Sequence, residues 1–128
     1  MFDTNLLIYY LNASLTKSAR QQVDKIIEVG AFISVITRIE VLGWTNHTEQ
    51  SLKSTEELLS ILNEQDLNEE IVKLCIYVRQ LTKLKLPDAI IAATALHLDL
   101  PLITRNIKDF QKVADLKLIN PFESESNS

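Results

Sequence analysis

Glycine is almost missing from this chain: among 128 residues only Gly30 and Gly43 occur. A P-loop and a dinucleotide fingerprint both need several glycines so that backbone can approach phosphate, and both are excluded. The lone cysteine, Cys75, rules out an internal disulfide and any multi-cysteine zinc site. Its setting, VKLCIYV, reads as core rather than as a nucleophile. The two histidines, His47 in TNHTE and His97 at the end of an apolar run, stand at no ligand spacing and read as surface or packing residues. No run of about 18 apolar residues offers a membrane span. The opening MFDTNLLIYYL has no basic flank and no small-residue cleavage site, so it does not read as a signal peptide, and the cytoplasm is the expected location.

A net charge of −4 argues against a protein that coats nucleic acid by charge alone. The charge is unevenly spread. Residues 71–119 hold eight Lys/Arg and four acids, and the rest of the chain holds five and thirteen. A polyanion can approach the C-terminal half locally, although scattered solvated charge accounts for the asymmetry equally well. The length suits one domain, 1–121, followed by a polar tail at 122–128, FESESNS, expected to fray.

Periodicity predicts alternation. MF is the stub of a strand ending at Asp3, and 4–12 is a short helix or turn. Residues 17–29 space their apolar positions like an amphipathic helix that Gly30 terminates. Strands are expected at 31–35, 65–67, 101–104 and 116–119, and helices at 37–44, 49–63, 69–83, 87–98 and 107–113. Short apolar strands alternating with helices predict an α/β fold, a three-layer α/β/α sandwich around a mainly parallel sheet of four or five strands. In such sheets ligands bind beyond the carboxyl ends of the strands.

That rule selects acids. Asp3 follows the first strand, Glu40 lies a turn into the helix after the second, and Asp88 opens the apolar helix PDAIIAATALHL. Asn106 and Asp109 follow the strand 101–104. Each acid has a plain explanation: Asp3 as a helix cap, Glu40 as a solvated helix position, Asp88 as a complement to the helix dipole. The alternative is convergence. Burying unpaired carboxylates costs several kcal/mol each, and a divalent ion relieves both burial and mutual repulsion. Hard carboxylate oxygens without histidine favour Mg²⁺ or Mn²⁺. Spacing alone leaves these readings open.

Three stretches narrow the choice. FDTNLLIYYL, SVITRIEVLGW and LKLPDAIIAATALHLDLPLITRNIKDF resemble, in order, the three blocks of PIN-domain nucleases, and together they span residues 2–110. The small size resembles the VapC-type toxins of prokaryotic toxin–antitoxin pairs. The resemblance implies that Asp3, Glu40 and Asp88 match the family's acidic metal positions, with Mg²⁺ or Mn²⁺ as cofactor. The fourth position, often acidic in the family, is Asn106 here, with Asp109 as the nearby acid. Thr4, Asn5 and Thr104 match positions that orient the acids. The implied activity is endoribonuclease cleavage of an RNA substrate to 5′-phosphate and 3′-hydroxyl ends, with Arg105 and Lys108 contacting flanking phosphates. The implied partners are an antitoxin that blocks the cleft and a second copy in a homodimer. Only two residues precede Asp3, whereas family members commonly have a longer first strand. Two other classes remain: a catalytically inactive PIN-like module that binds RNA or a protein, and an aspartyl-phosphate enzyme using Asp3. The second lacks the further acid two residues on that such enzymes often carry.

Overall fold

In the computed structural model, which describes residues 1–122, neighbouring residues of the segments at 1–2, 32–33 and 102–103 bury themselves on opposite sides of one sheet. Met1, Phe32 and Leu102 join one apolar cluster, while Phe2, Ile33 and Ile103 join the other. This is the two-residue period of extended chain. It makes the expected three layers.

The elements run α1 (Thr4–Leu11), α2 (Lys17–Val29), β1 (Phe32–Ser34), α3 (Val35–Leu42), α4 (Glu49–Ser60), β2 (Asn63–Gln65), α5 (Glu69–Leu81), α6 (Leu86–Leu98), β3 (Leu102–Ile103), α7 (Ile107–Phe110) and β4 (Leu118–Ile119). β1 pairs with β2 and β3 with β4, both in parallel. Residues 1–3 link the two pairs. Phe2 bridges Ile103 in parallel, and its N–H donates to the Phe32 carbonyl at 2.9 Å. Five segments therefore lie side by side, with the N-terminal one in the middle. Leu6 and Leu7 of α1, Val23 of α2 and Leu58 of α4 cover one face; Ile71 and Cys75 of α5 and Ile91 of α6 cover the other.

Several boundaries differ from expectation. The strand expected at 31–35 and the helix expected at 37–44 meet earlier. The Ser34 hydroxyl accepts from the Ile36 N–H at 3.2 Å and starts α3 at once. The strand expected at 65–67 is at 63–65, because α4 ends at Ser60 and the Asn63 N–H donates to the Ala31 carbonyl. The helix expected over 107–113 is one turn, 107–110. The fraying expected of the tail falls, for 123–128, outside the described residues. Cys75 is buried at 7% exposure, as its setting predicted. No helix among the described residues is long and apolar enough to cross a membrane.

The turn from α2 into β1 depends on Gly30, whose φ is +120°. A side chain there is strained whatever the surrounding space. Gly30→Ala is therefore expected to cost about 1–3 kcal/mol of stability, measurable as a lowered urea midpoint with an unchanged slope.

Candidate acidic site

Asp3 sits where the central segment ends and α1 begins, and it is only 3% exposed. It takes the N-cap position with extended backbone (φ −69°, ψ 148°), yet its side chain makes no capping hydrogen bond. The capping explanation therefore does not account for this residue. Its Oδ2 instead accepts from Thr104 Oγ1 at 2.8 Å, a hydroxyl at the end of β3 that is itself fully buried. Burial pushes the Asp3 carboxyl up from its ordinary 3.8 to about 6. The Thr104 hydrogen bond opposes that rise, the charge of Asp88 adds to it, and the Asn5 and Thr4 N–H groups oppose it.

Asp88 occupies the first turn of α6 behind Pro87, at the head of a helix whose residues 89–95 are all buried. It is half-buried, and burial raises its carboxyl above the ordinary range. The charges of Glu40 and Asp109 raise it further, against a small opposing effect of Lys85. Asp88 is thus the acid that the other three share, coupled to Asp3 at the strand end and to Glu40 and Asp109 on two other helices. Neither ion pair among the described residues, Arg20–Asp24 or Arg38–Glu64, involves any of them.

Glu40 occupies the solvated helix position that is its plain explanation: α3 buries only its Thr37–Val41 face, and Glu40 and Ile39 (59% exposed) lie outside it. Its Oε1 nonetheless accepts from the buried Thr4 Oγ1 at 2.8 Å. Asn106 caps α7, and its Nδ2 donates to Asp109 Oδ2 at 3.0 Å, so these two side chains act as one unit. Thr4 and Thr104 each bond one of the acids. Asn5 is exposed and acts on Asp3 through its backbone N–H. Lys108 is exposed. The Arg105 guanidinium lies over the Phe122 ring at 4.4 Å and the Tyr9 ring at 5.8 Å, an aromatic backing that the sequence pattern did not reveal. Thr37 was also missed; its only signal is a hydroxyl three residues before Glu40 on the buried helix face. His47 and His97 are away from the acids. His47 bonds the Val41 carbonyl and Ser51, and His97 bonds Asn68.

The donor chemistry suits a hard divalent cation: carboxylate oxygens, a buried member, and no ion pair to any of them among the described residues. The spacing is looser. Among the described residues, no three His, Cys, Asp or Glu side chains are grouped closely enough to hold an ion as they stand. A cavity of about 310 Å³ beside α3, lined by Ile8, Leu11, Val41, Trp44 and His47 among others, contains none of the acids.

The PIN domain family matches residues 1–116. The chain belongs to that family. Ribonuclease VapC1 of Haemophilus influenzae (strain R2866) is 31% identical to this PIN domain over 129 aligned residues, covering 91% of this chain and 93% of the relative. Among solved structures, a toxin–antitoxin complex from Klebsiella pneumoniae contains a chain 35% identical, with a TM-score of 0.74 and coverage of 94% and 95%. VapBC-1 from nontypeable Haemophilus influenzae matches at 30% identity, with a TM-score of 0.78 and coverage of 95% and 97%. The PIN fold expected from the sequence is therefore the fold of this chain.

The raised Asp3 carboxyl has a consequence for stability. Between pH 3.8 and about 6 the unfolded chain has released this proton and the folded chain retains it. Folded stability therefore falls as pH rises through that window. The full displacement corresponds to about 3 kcal/mol. Asp3→Asn should flatten that decline and be more stable than the unaltered chain at pH 7 in chelator. Denaturant titrations at a series of pH values check this, and parallel pH profiles for both proteins would contradict it.

Proposed function

We propose that this PIN domain is a Mg²⁺- or Mn²⁺-dependent endoribonuclease and the toxin half of a cytoplasmic toxin–antitoxin pair. The observation that carries the reading is the Asp3 carboxylate, buried at a strand end without a neutralising partner and electrostatically coupled to Asp88. The similarity to a relative named as a ribonuclease, and to chains solved in toxin–antitoxin complexes, supports the activity and the partner class.

On this reading Asp3, Glu40 and Asp88 hold the ion. When bound, it offsets charge on the scissile phosphate and acidifies a water. Thr104 and Thr4 keep the Asp3 and Glu40 oxygens oriented through their hydroxyls. The Asn106–Asp109 pair orients the attacking water or a second ion, with one neutral amide and one carboxylate available for hydrogen bonding. Cleavage leaves a 5′-phosphate and a 3′-hydroxyl. Arg105, held over Phe122, and Lys108 contact flanking phosphates, which fix register without reading sequence. The antitoxin covers the acids. The apolar cavity lined by Val41 and the exposed Trp44 (54%), on and just after the helix that carries Glu40, suits a segment of that partner. A second copy completes a homodimer.

One observation favours a second reading, a metal-free PIN module that binds RNA or a protein: the acids are not closely grouped. Calorimetric titration of Mn²⁺ separates the two. The nuclease reading predicts saturable binding that Asp88→Asn weakens, together with loss of RNA cleavage by at least about 100-fold, the scale of removing one electrostatic stabiliser from an active site. Undiminished cleavage by purified Asp88→Asn, or no Mn²⁺ binding by the unaltered chain, would reject it.

A further inference from the structure

We propose that Thr37 is a positioning residue for the metal site, acting through Thr4 on Glu40; this rests on the metal-dependent reading above. Two acids of the site each take a proton from a threonine, and each threonine has a second polar neighbour. For Thr104 that neighbour is the Asn106 N–H, which donates to Oγ1 at 2.9 Å. With its acceptor side filled, the Thr104 hydroxyl proton goes to Asp3 Oδ2.

For Thr4 the neighbour is Thr37, with the two Oγ1 atoms 2.9 Å apart. Distance alone does not say which one donates. Proton counting does. Each hydroxyl has one proton, and an ionised carboxylate only accepts. Thr4 lies 2.8 Å from Glu40 Oε1, so its proton is committed there. Thr37 must then donate to Thr4. Thr37 is 0% exposed and has no other side-chain hydrogen bond among the described residues, so the order Thr37 to Thr4 to Glu40 satisfies all three groups.

The relay matters because Glu40 lies on the exposed side of α3. A free glutamate has high rotamer entropy, and a hydrogen bond that fixes its oxygen in advance removes part of the ordering cost of binding a cation. Thr37 fills the acceptor site of Thr4 and points the Thr4 proton outward to Glu40. It does for Glu40 what the Asn106 amide does for Asp3. Among the described residues Asp88 has no hydroxyl donor of this kind, so the two threonine relays are the orienting hydrogen bonds of the site.

The test uses the full chain with Mn²⁺ as the probe, read by calorimetry, alongside thermal unfolding in chelator. Thr37→Val keeps the shape and removes the proton. It should weaken Mn²⁺ binding about 10–100-fold, as loss of an orienting partner does elsewhere. Thr37→Ser should restore binding towards that of the unaltered chain. In a Thr4→Val background, Thr37→Val should have no further effect, which reads the relay even if one variant is less stable. Equal Mn²⁺ affinity in Thr37→Val, failure of Thr37→Ser to restore it, or additive losses in the double variant would each overturn the inference. If the unaltered chain binds no Mn²⁺, the metal reading itself fails and this inference falls with it.

Discussion

A carboxylate placed in the interior with one side-chain hydrogen bond governs this molecule. Asp3 ends the central segment of the sheet, and the chain cannot relocate it without breaking the join between two strand pairs. The Phe2 N–H bonds β1, the Asp3 N–H bonds the Ile103 carbonyl, and the side chain follows into the space at the strand ends. The backbone that makes the sheet continuous thus forces a charge into low dielectric, where it raises its own pKa. Fold and site are coupled by covalent adjacency.

The neighbours follow from that constraint. Thr104 lies at the end of the strand beside Asp3, and its hydroxyl reaches back across the sheet edge. Thr4 starts α1 and faces α3, where Thr37 and Glu40 complete the chain of oxygens. Asp88 arrives from a helix that is buried on nearly every side, so its position is fixed by packing more than by polar contacts. These elements are held in place by the two apolar clusters that flank the sheet. The burial and mutual repulsion of the acids carry an electrostatic cost that a bound cation would relieve. Active sites commonly concentrate such perturbed groups.

How much of this was readable from sequence depended on the kind of signal. Asp88 stood out because a charge opening PDAIIAATAL breaks an apolar run, and α6 is buried as that run implied. Asp3 was visible from its place after a strand stub, although capping remained an equal explanation until the side chain was seen to make no cap. The boundary at Ser34 was misjudged because serine suits both a strand end and a cap, and the hydrogen bond to Ile36 decides between them. For Glu40 the string IEVL leaves the exposed and the buried position open, and helical geometry decides by turning Ile39 and Glu40 outward and leaving Val41 inside. Thr37 and the aromatic support of Arg105 depend on contacts distant in sequence, Thr4 with Thr37 and Arg105 with Phe122 and Tyr9, and no local pattern encodes them.

The titration of Asp3 itself is the most direct measure of the central constraint. Carbon-13 NMR of the side-chain carboxyl, followed against pH without metal and again with Mg²⁺, reads that group alone. The account predicts a midpoint near 6 without metal, moving down when Mg²⁺ is present. A midpoint at the ordinary value near 3.8 that ignores Mg²⁺ would show that the carboxylate is neither desolvated nor a ligand, and the account would be wrong.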